Sequence, residues 1–186
     1  MSGLPDLASQ NKKEEIVRLL QNGADINEQN SDGRTALNNA SFAHHTEIVQ
    51  ILLKNKNINV NLQNIGGWSP FYRACLDDSY GSALLMIQDP RVDINMAENN
   101  GWSPLMRACY WGRTKIVQLL LSFGRKIDIH KKSTRDLLTI KSGSTALDVA
   151  KQRNKTDVVQ LLEYYRNNPK ETQKLWRNEL SLKGKK

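Results

Sequence analysis

Three histidines and two cysteines are all that this chain of 186 residues holds for metal ligation, thiol chemistry, or acid and base work near neutral pH. No glycine-rich phosphate loop, no pair of cysteines at metal spacing, no His-Glu-x-x-His and no Gly-x-Ser-x-Gly occurs, so the motifs that place nucleophiles, bases or phosphate cradles on a fold are missing. An enzyme, a cofactor and a bound metal are therefore not expected. No window approaches the roughly eighteen consecutive apolar residues that a spanning helix needs, and no apolar run follows a basic start at the N-terminus. A membrane span and a secretory signal are not expected either, which leaves cytoplasm or nucleus as the expected location. What is present is ordinary: 39% apolar and 25% charged residues, enough to bury a core.

The core is written in copies. The clearest runs over 101–121, GWSPLMRACYWGRTKIVQLLL. Ser103 can cap a first helix with its hydroxyl, Pro104 occupies the first helical position where its missing N–H costs nothing, and Leu105 and Ala108 share a face. Gly112 breaks that helix. Thr114 reads as the cap of a second, whose Ile116, Val117, Leu119, Leu120 and Leu121 present an apolar face around most of the circumference. The same opening recurs as Gly67-Trp68-Ser69-Pro70-Phe71 and Gly33-Arg34-Thr35-Ala36-Leu37, each 34 residues upstream of the next, and as Gly143-Ser144-Thr145-Ala146-Leu147, 42 downstream of Gly101. Second helices recur as EEIVRLL from Glu14, TEIVQILL from Thr46, TKIVQLLL from Thr114 and TDVVQLL from Thr156. Short polar links such as Gly23-Ala24-Asp25-Ile26-Asn27 and Val92-Asp93-Ile94-Asn95 join them. A helical pair that cannot bury its own apolar face must stack on its neighbours, which is the logic of a solenoid.

These elements, G-x-T-P-L, EIVxLL and GADIN in register over about 4–165, resemble the ankyrin repeat. The resemblance implies an all-α solenoid of about five stacked helix-turn-helix units with β-hairpin-like connections, at about 4–32, 33–66, 67–100, 101–142 and 143–165, followed by a basic helical tail over 166–186. It implies macromolecular binding without chemistry, in a concave groove lined by the hairpin tips and first helices. It further implies that the hairpin asparagines Asn27, Asn61 and Asn95 are possible sites for an asparaginyl hydroxylase, with His130 in the equivalent place of the fourth repeat. Asparagine also satisfies tight hairpin backbone unaided.

Several copies depart from the pattern. Asn38 stands where the family usually has histidine, and His45 falls at the inter-helix turn, where such a residue bonds backbone. Tyr80-Gly81-Ser82 replaces the Thr-Glu-Ile start of a second helix, and glycine there costs about 1 kcal/mol relative to alanine. The third repeat is therefore expected to be the loosest. Cys75 and Cys109 occupy one position in consecutive repeats and read as free packing residues. The fourth link is longer, with Leu137, Leu138 and Ile140 between basic ends, and reads as a tolerated insertion, a floppy finger or a clamp over the groove. Asn168-Pro169 starts a last helix, with Asn168 as its cap and Leu175, Trp176 and Leu180 on one side, suited to cap the stack.

Charge divides along the chain. Residues 1–100 hold 8 Lys plus Arg against 12 Asp plus Glu, a net of −4, and residues 101–186 hold 19 against 7, a net of +12. An acidic partner, or nucleic-acid phosphate, would suit the second half; a solvated face would look the same. Groove positions matched to the family include Phe42 and Arg153, and the residues singled out for partner binding are Arg34, Trp68, Arg73, Trp102, Arg107, Tyr110 and Trp111. Tryptophan, tyrosine and arginine dominate hot spots at protein interfaces. Another protein, met as a peptide segment or folded surface, is the expected partner of an otherwise monomeric scaffold or adaptor. The alternative is a basic accessory subunit of a nucleoprotein or other large complex.

Overall fold

The computed structural model describes residues 3–179. Among them are eleven α-helices and no strand, the all-α repeat stack that the resemblance implies. The chain divides between Asn99 and Asn100 into two compact units.

The first unit holds three helical pairs: α1 (Leu4–Ser9) and α2 (Lys13–Gln21), α3 (Ala36–Phe42) and α4 (Thr46–Leu53), α5 (Pro70–Leu76) and α6 (Tyr80–Gln88). First helices pack on first helices, α1 on α3 on α5, and second helices on second helices, α2 on α4 on α6. The second unit contains α7 (Pro104–Trp111), α8 (Thr114–Ser122), α9 (Ala146–Gln152), α10 (Thr156–Asn167) and α11 (Pro169–Glu179). Here α7 packs on α9, α8 on α10, and α11 lies against α8 and α10.

One device starts the first helix in four of the five pairs. Thr35, Ser69, Ser103 and Thr145 sit in extended backbone, and their hydroxyls accept from the amides of Asn38, Tyr72, Met106 and Asp148. Each such cap is worth about 1 kcal/mol. The second helices start differently. Their N-cap positions, Lys12, His45, Ser79, Arg113 and Lys155, make no side-chain cap bond. Thr114, expected as a cap, is instead the first helical residue, its hydroxyl turned back toward the Gly112 carbonyl at 3.4 Å. The turn before each second helix is made by one left-handed residue: Asn11, His44, Asp78, Gly112 and Asn154, with φ between 51° and 70°. Asparagine, aspartate and histidine tolerate that region better than other side chains, so glycine is needed in only one of the five turns.

Two segments where looseness is expected have regular local geometry. Helix α6 runs unbroken through Gly81, where the missing Cβ makes room for Thr46 of α4. The long fourth link is a closed loop. Leu137 and Ile140 exchange backbone bonds of 2.8 and 2.9 Å, Ile140 is fully buried, and Asp136 accepts from the Ser142 amide at 2.8 Å and from Lys141 Nζ at 3.1 Å. Its exposed tip is Leu138.

Helix α11 begins at Pro169, but the Asn168 carboxamide donates back to the Tyr164 carbonyl at 3.4 Å. Thr172 and Trp176, one turn apart, face inward, with Trp176 beside Tyr164 at a ring separation of 6.2 Å. Leu175, expected beside Trp176, points outward because adjacent helical residues cannot share a face. Leu180 lies outside the described residues.

Candidate functional site

In the first unit, the hairpin-tip and first-helix positions converge on Arg73. Its guanidinium lies 4.1 Å over the Phe42 ring and 4.9 Å over that of Trp68, and its Nε is 2.5 Å from Asp77 Oδ2, one helical turn on. Trp68 is itself stacked on the buried Tyr72, with ring centroids 6.3 Å apart. Burial depresses the Arg73 pKa, Asp77 opposes that, and the charge of Arg34 adds to it; an arginine stays protonated regardless. Arg34 is half-buried and faces Asp32 at 3.6 Å. Phe42 and Ile65 are the exposed apolar rim, 43% and 75% accessible. The result is a planar cation filed between two aromatic faces, attraction of the kind worth about 0.5–2 kcal/mol per pair.

Helix α7 repeats the arrangement in the second unit with different chemistry. Trp102, expected at the surface, is fully buried. The edge of Tyr110 meets it at 5.7 Å, and Arg107 covers it at 4.9 Å, so no partner reaches it directly. Tyr110 is buried too, because Arg153 lies over its ring at 4.5 Å and Trp111 meets it edge-on at 5.2 Å. Trp111 is half-exposed, at 49%. Of the three large aromatics in this unit's candidate set, two form a wall and one is presented. Arg153 is the residue outside the candidate set that completes it; its position in the last repeat matches that of Trp111 in the fourth.

Two of the hairpin asparagines, Asn27 and Asn61, are bonded at both ends of the side-chain amide. Asn27 donates to the Asn57 carbonyl at 3.0 Å and accepts from the Asn59 amide at 2.7 Å; Asn61 donates to Arg91 at 2.8 Å and accepts from Asp93 at 2.9 Å. Each ties one repeat to the next. The Asn95 amide N–H bonds Asp93 Oδ1 at 2.9 Å, and that of His130 bonds Asp128 Oδ1 at 3.0 Å. Asn38 is buried and donates to the Trp68 carbonyl at 2.8 Å, and His45 Nε2 meets the Ser9 carbonyl at 3.2 Å, the structural role its position implies. Cys75 and Cys109 are free and buried, and burial pushes both thiols up, away from the reactive thiolate. Among the described residues no group of three or more His, Cys, Asp or Glu gathers as metal ligands would, and no helix is long and apolar enough to cross a membrane.

A family model described as ankyrin repeats (3 copies) matches residues 6–97 and 80–173. The chain belongs to the ankyrin-repeat family, whose repeats are interaction modules that generally bind other proteins and are generally not enzymes. Among curated proteins, Rabankyrin-5 of Homo sapiens is 34% identical over 64 residues, 34% of this chain and 6% of that protein. Rabankyrin-5 of Mus musculus gives the same figures. The matched stretch is thus a small fraction of those relatives' length.

Proposed function

We propose that this chain is a scaffold or adaptor that holds another protein, as a peptide segment or a folded surface, against the hairpin tips and first helices of its repeats. The observation that supports this reading most is the recurrence of arginine held over aromatic rings in both units, each time with one exposed ring in the same set, Phe42 in the first and Trp111 in the second. Prearranged rings and guanidinium planes offer contact area at little cost in side-chain entropy. Arg34, Trp68 and Arg73 would line the contact made by the first unit and Arg107 that made by the second, with Trp102 and Tyr110 acting from beneath Arg107 as support. Free, buried cysteines suit a reducing compartment, cytoplasm or nucleus. The test is affinity capture from native extract with mass spectrometry, using the parent chain and the double variant Phe42→Ala, Trp111→Ala. Proteins retained by the parent and lost by the variant would support the reading. Identical retention by a variant of unchanged helicity would overturn it.

A second reading has one observation in its favour, the net of +12 over residues 101–186. On this reading the chain is an accessory subunit whose C-terminal half rests on nucleic-acid phosphate. Such binding weakens steeply with salt. Release from heparin and RNA at low salt, while a protein partner is still held at high salt, would remove it.

A further inference from the structure

At several places in the first unit a cation has an acid beside it. Arg73 has Asp77 at 2.5 Å, Arg34 has Asp32 at 3.6 Å, Arg91 has Asp89 at 2.7 Å, and Lys13 has Glu47 at 2.8 Å. In the second unit, the place 34 residues after Asp77 is held by Trp111. Around the turn that follows Trp111 are two cations that make no ion pair with a described residue. Arg153 rests on Tyr110, makes no ion pair with any described residue, and has an Nε that is buried without a hydrogen bond. Lys155 runs across Gly112, close enough that a Cβ there would come within 2.9 Å of its Cδ, and it too makes no ion pair with a described residue.

From this contrast we infer that the Trp111 surface of the second unit takes a carboxylate-bearing peptide segment of a partner protein, whose acid answers Arg153 and Lys155 as Asp77 answers Arg73 in the first unit. This rests on the protein-binding reading above and names the chemistry of its partner. A guanidinium already held over Tyr110 loses little freedom when a carboxylate approaches it, and carboxylate and guanidinium match in geometry. Trp111 supplies the apolar half of the contact, so the segment carries Asp or Glu beside a large apolar residue. Stacked bases would need open aromatic faces in series. Here Arg153 and the buried packing occupy Tyr110 and Trp102, leaving one ring.

The test is selection of a random phage-displayed peptide library on the full chain, then affinity measurement with the best peptide, its Asp-to-Asn and Glu-to-Gln analogue, and oligouridylate RNA. Selected peptides should be rich in Asp or Glu next to Trp, Phe, Leu or Ile. Trp111→Asp, which installs the internal acid, should weaken the best peptide at least about thirtyfold, and Trp111→Ala nearly as much. Arg153→Gln should weaken it about tenfold, with Arg153→Lys in between. Circular dichroism keeps loss of fold separate. Peptides without acidic bias would sink this inference and leave the protein-binding reading standing. Acidic peptides that bind Trp111→Asp and Arg153→Gln like the parent would also sink it. If no peptide is enriched, with or without RNA binding, this inference falls, and the protein-binding reading is decided by the capture experiment.

Discussion

A Cβ on Gly81 would lie 2.6 Å from Thr46 Oγ1 and 3.1 Å from its Cγ2, so helices α4 and α6 approach at a point where only glycine fits. Helix propensity alone says that alanine at position 81 should stabilise by up to about 1 kcal/mol. The contact opposes that gain, because Thr46 has to leave its present rotamer, or α4 and α6 have to shift, to admit the methyl group. Gly81→Ala should destabilise by about 1–3 kcal/mol, the usual cost of overpacking. Thr46→Ala removes both obstructing atoms and leaves Cβ at an ordinary 3.5 Å. In that background Gly81→Ala should become neutral or stabilising. Urea unfolding of the four chains forms a double-mutant cycle, and additivity within about 0.5 kcal/mol would refute the contact.

The amide of Asn61 spans two repeats, and its two ends are separable. Asn61→Ala loses both the bond to Arg91 and that from Asp93 and should cost about 1–2 kcal/mol, less than two buried bonds because the site is partly open to water. Asn61→Asp keeps the acceptor for the Asp93 amide, loses the donor, and should fall between. Hydroxylation at Cβ would have to follow opening of these bonds at Asn27 and Asn61. Tryptic peptides from cells that contain an asparaginyl hydroxylase should show any added oxygen rising as the hairpins are destabilised; no added oxygen at Asn27, Asn61 and Asn95 would end that idea.

The repeats could be read because each copy restates one local solution: a hydroxyl cap, often with proline behind it, then an apolar second helix. Direction of side chains was less legible. Trp68 and Trp102 hold one repeat position, yet Trp68 stays partly open while Trp102 is sealed. The difference comes from Arg107 and Tyr110 closing over Trp102, contacts that no spacing rule encodes. Trp111 was legible, since two consecutive aromatics cannot both enter one core. The packing role of Gly81 was not legible, because it depends on Thr46, 35 residues away. The anchor of the fourth link was hidden for a similar reason: Leu137, Leu138 and Ile140 look alike in sequence, and only the Leu137–Ile140 turn decides which is buried.

Acid should act on the last repeat through Asp148. Its carboxylate accepts from the Thr145 amide at 2.9 Å and from the Thr145 hydroxyl at 2.7 Å, and these bonds hold its pKa below the ordinary 3.8. A depressed folded pKa gives stability that is complete above the unfolded value and disappears as pH falls through the folded one. Helix α9 should therefore loosen below about pH 4, the ordinary carboxylate range. Asp148→Asn should lower stability at neutral pH and flatten that acid limb. Melting temperatures across pH 2 to 7 decide it: a limb of unchanged slope in the variant would show that other carboxylates carry it.

The carbonyls that end α8 are met from far along the chain by Arg177. Its Nε donates to the Ser122 carbonyl at 3.0 Å, a second guanidinium nitrogen bonds the Phe123 carbonyl, and the plane lies 6.0 Å from the Phe123 ring. Terminal carbonyls of a helix lack internal partners and carry the negative end of its dipole, so a forked cation suits them twice over. Gly124, with φ of +88°, follows at once, and any Cβ there would strike the guanidinium. Arg177→Ala should free α11 locally at about 1–2 kcal/mol, partial exposure of the site keeping the effect modest. Arg177→Lys keeps the charge but not the fork and should recover less than half of that. Trp176→Ala removes the buried anchor of the same helix and should cost more, about 3 kcal/mol. Hydrogen exchange over 169–179 should quicken in the order Lys, Ala at 177, then Ala at 176, while amides of α9 are little changed. Equal protection of α11 in the parent and in Arg177→Ala would show that Thr172 and Trp176 alone hold the helix down.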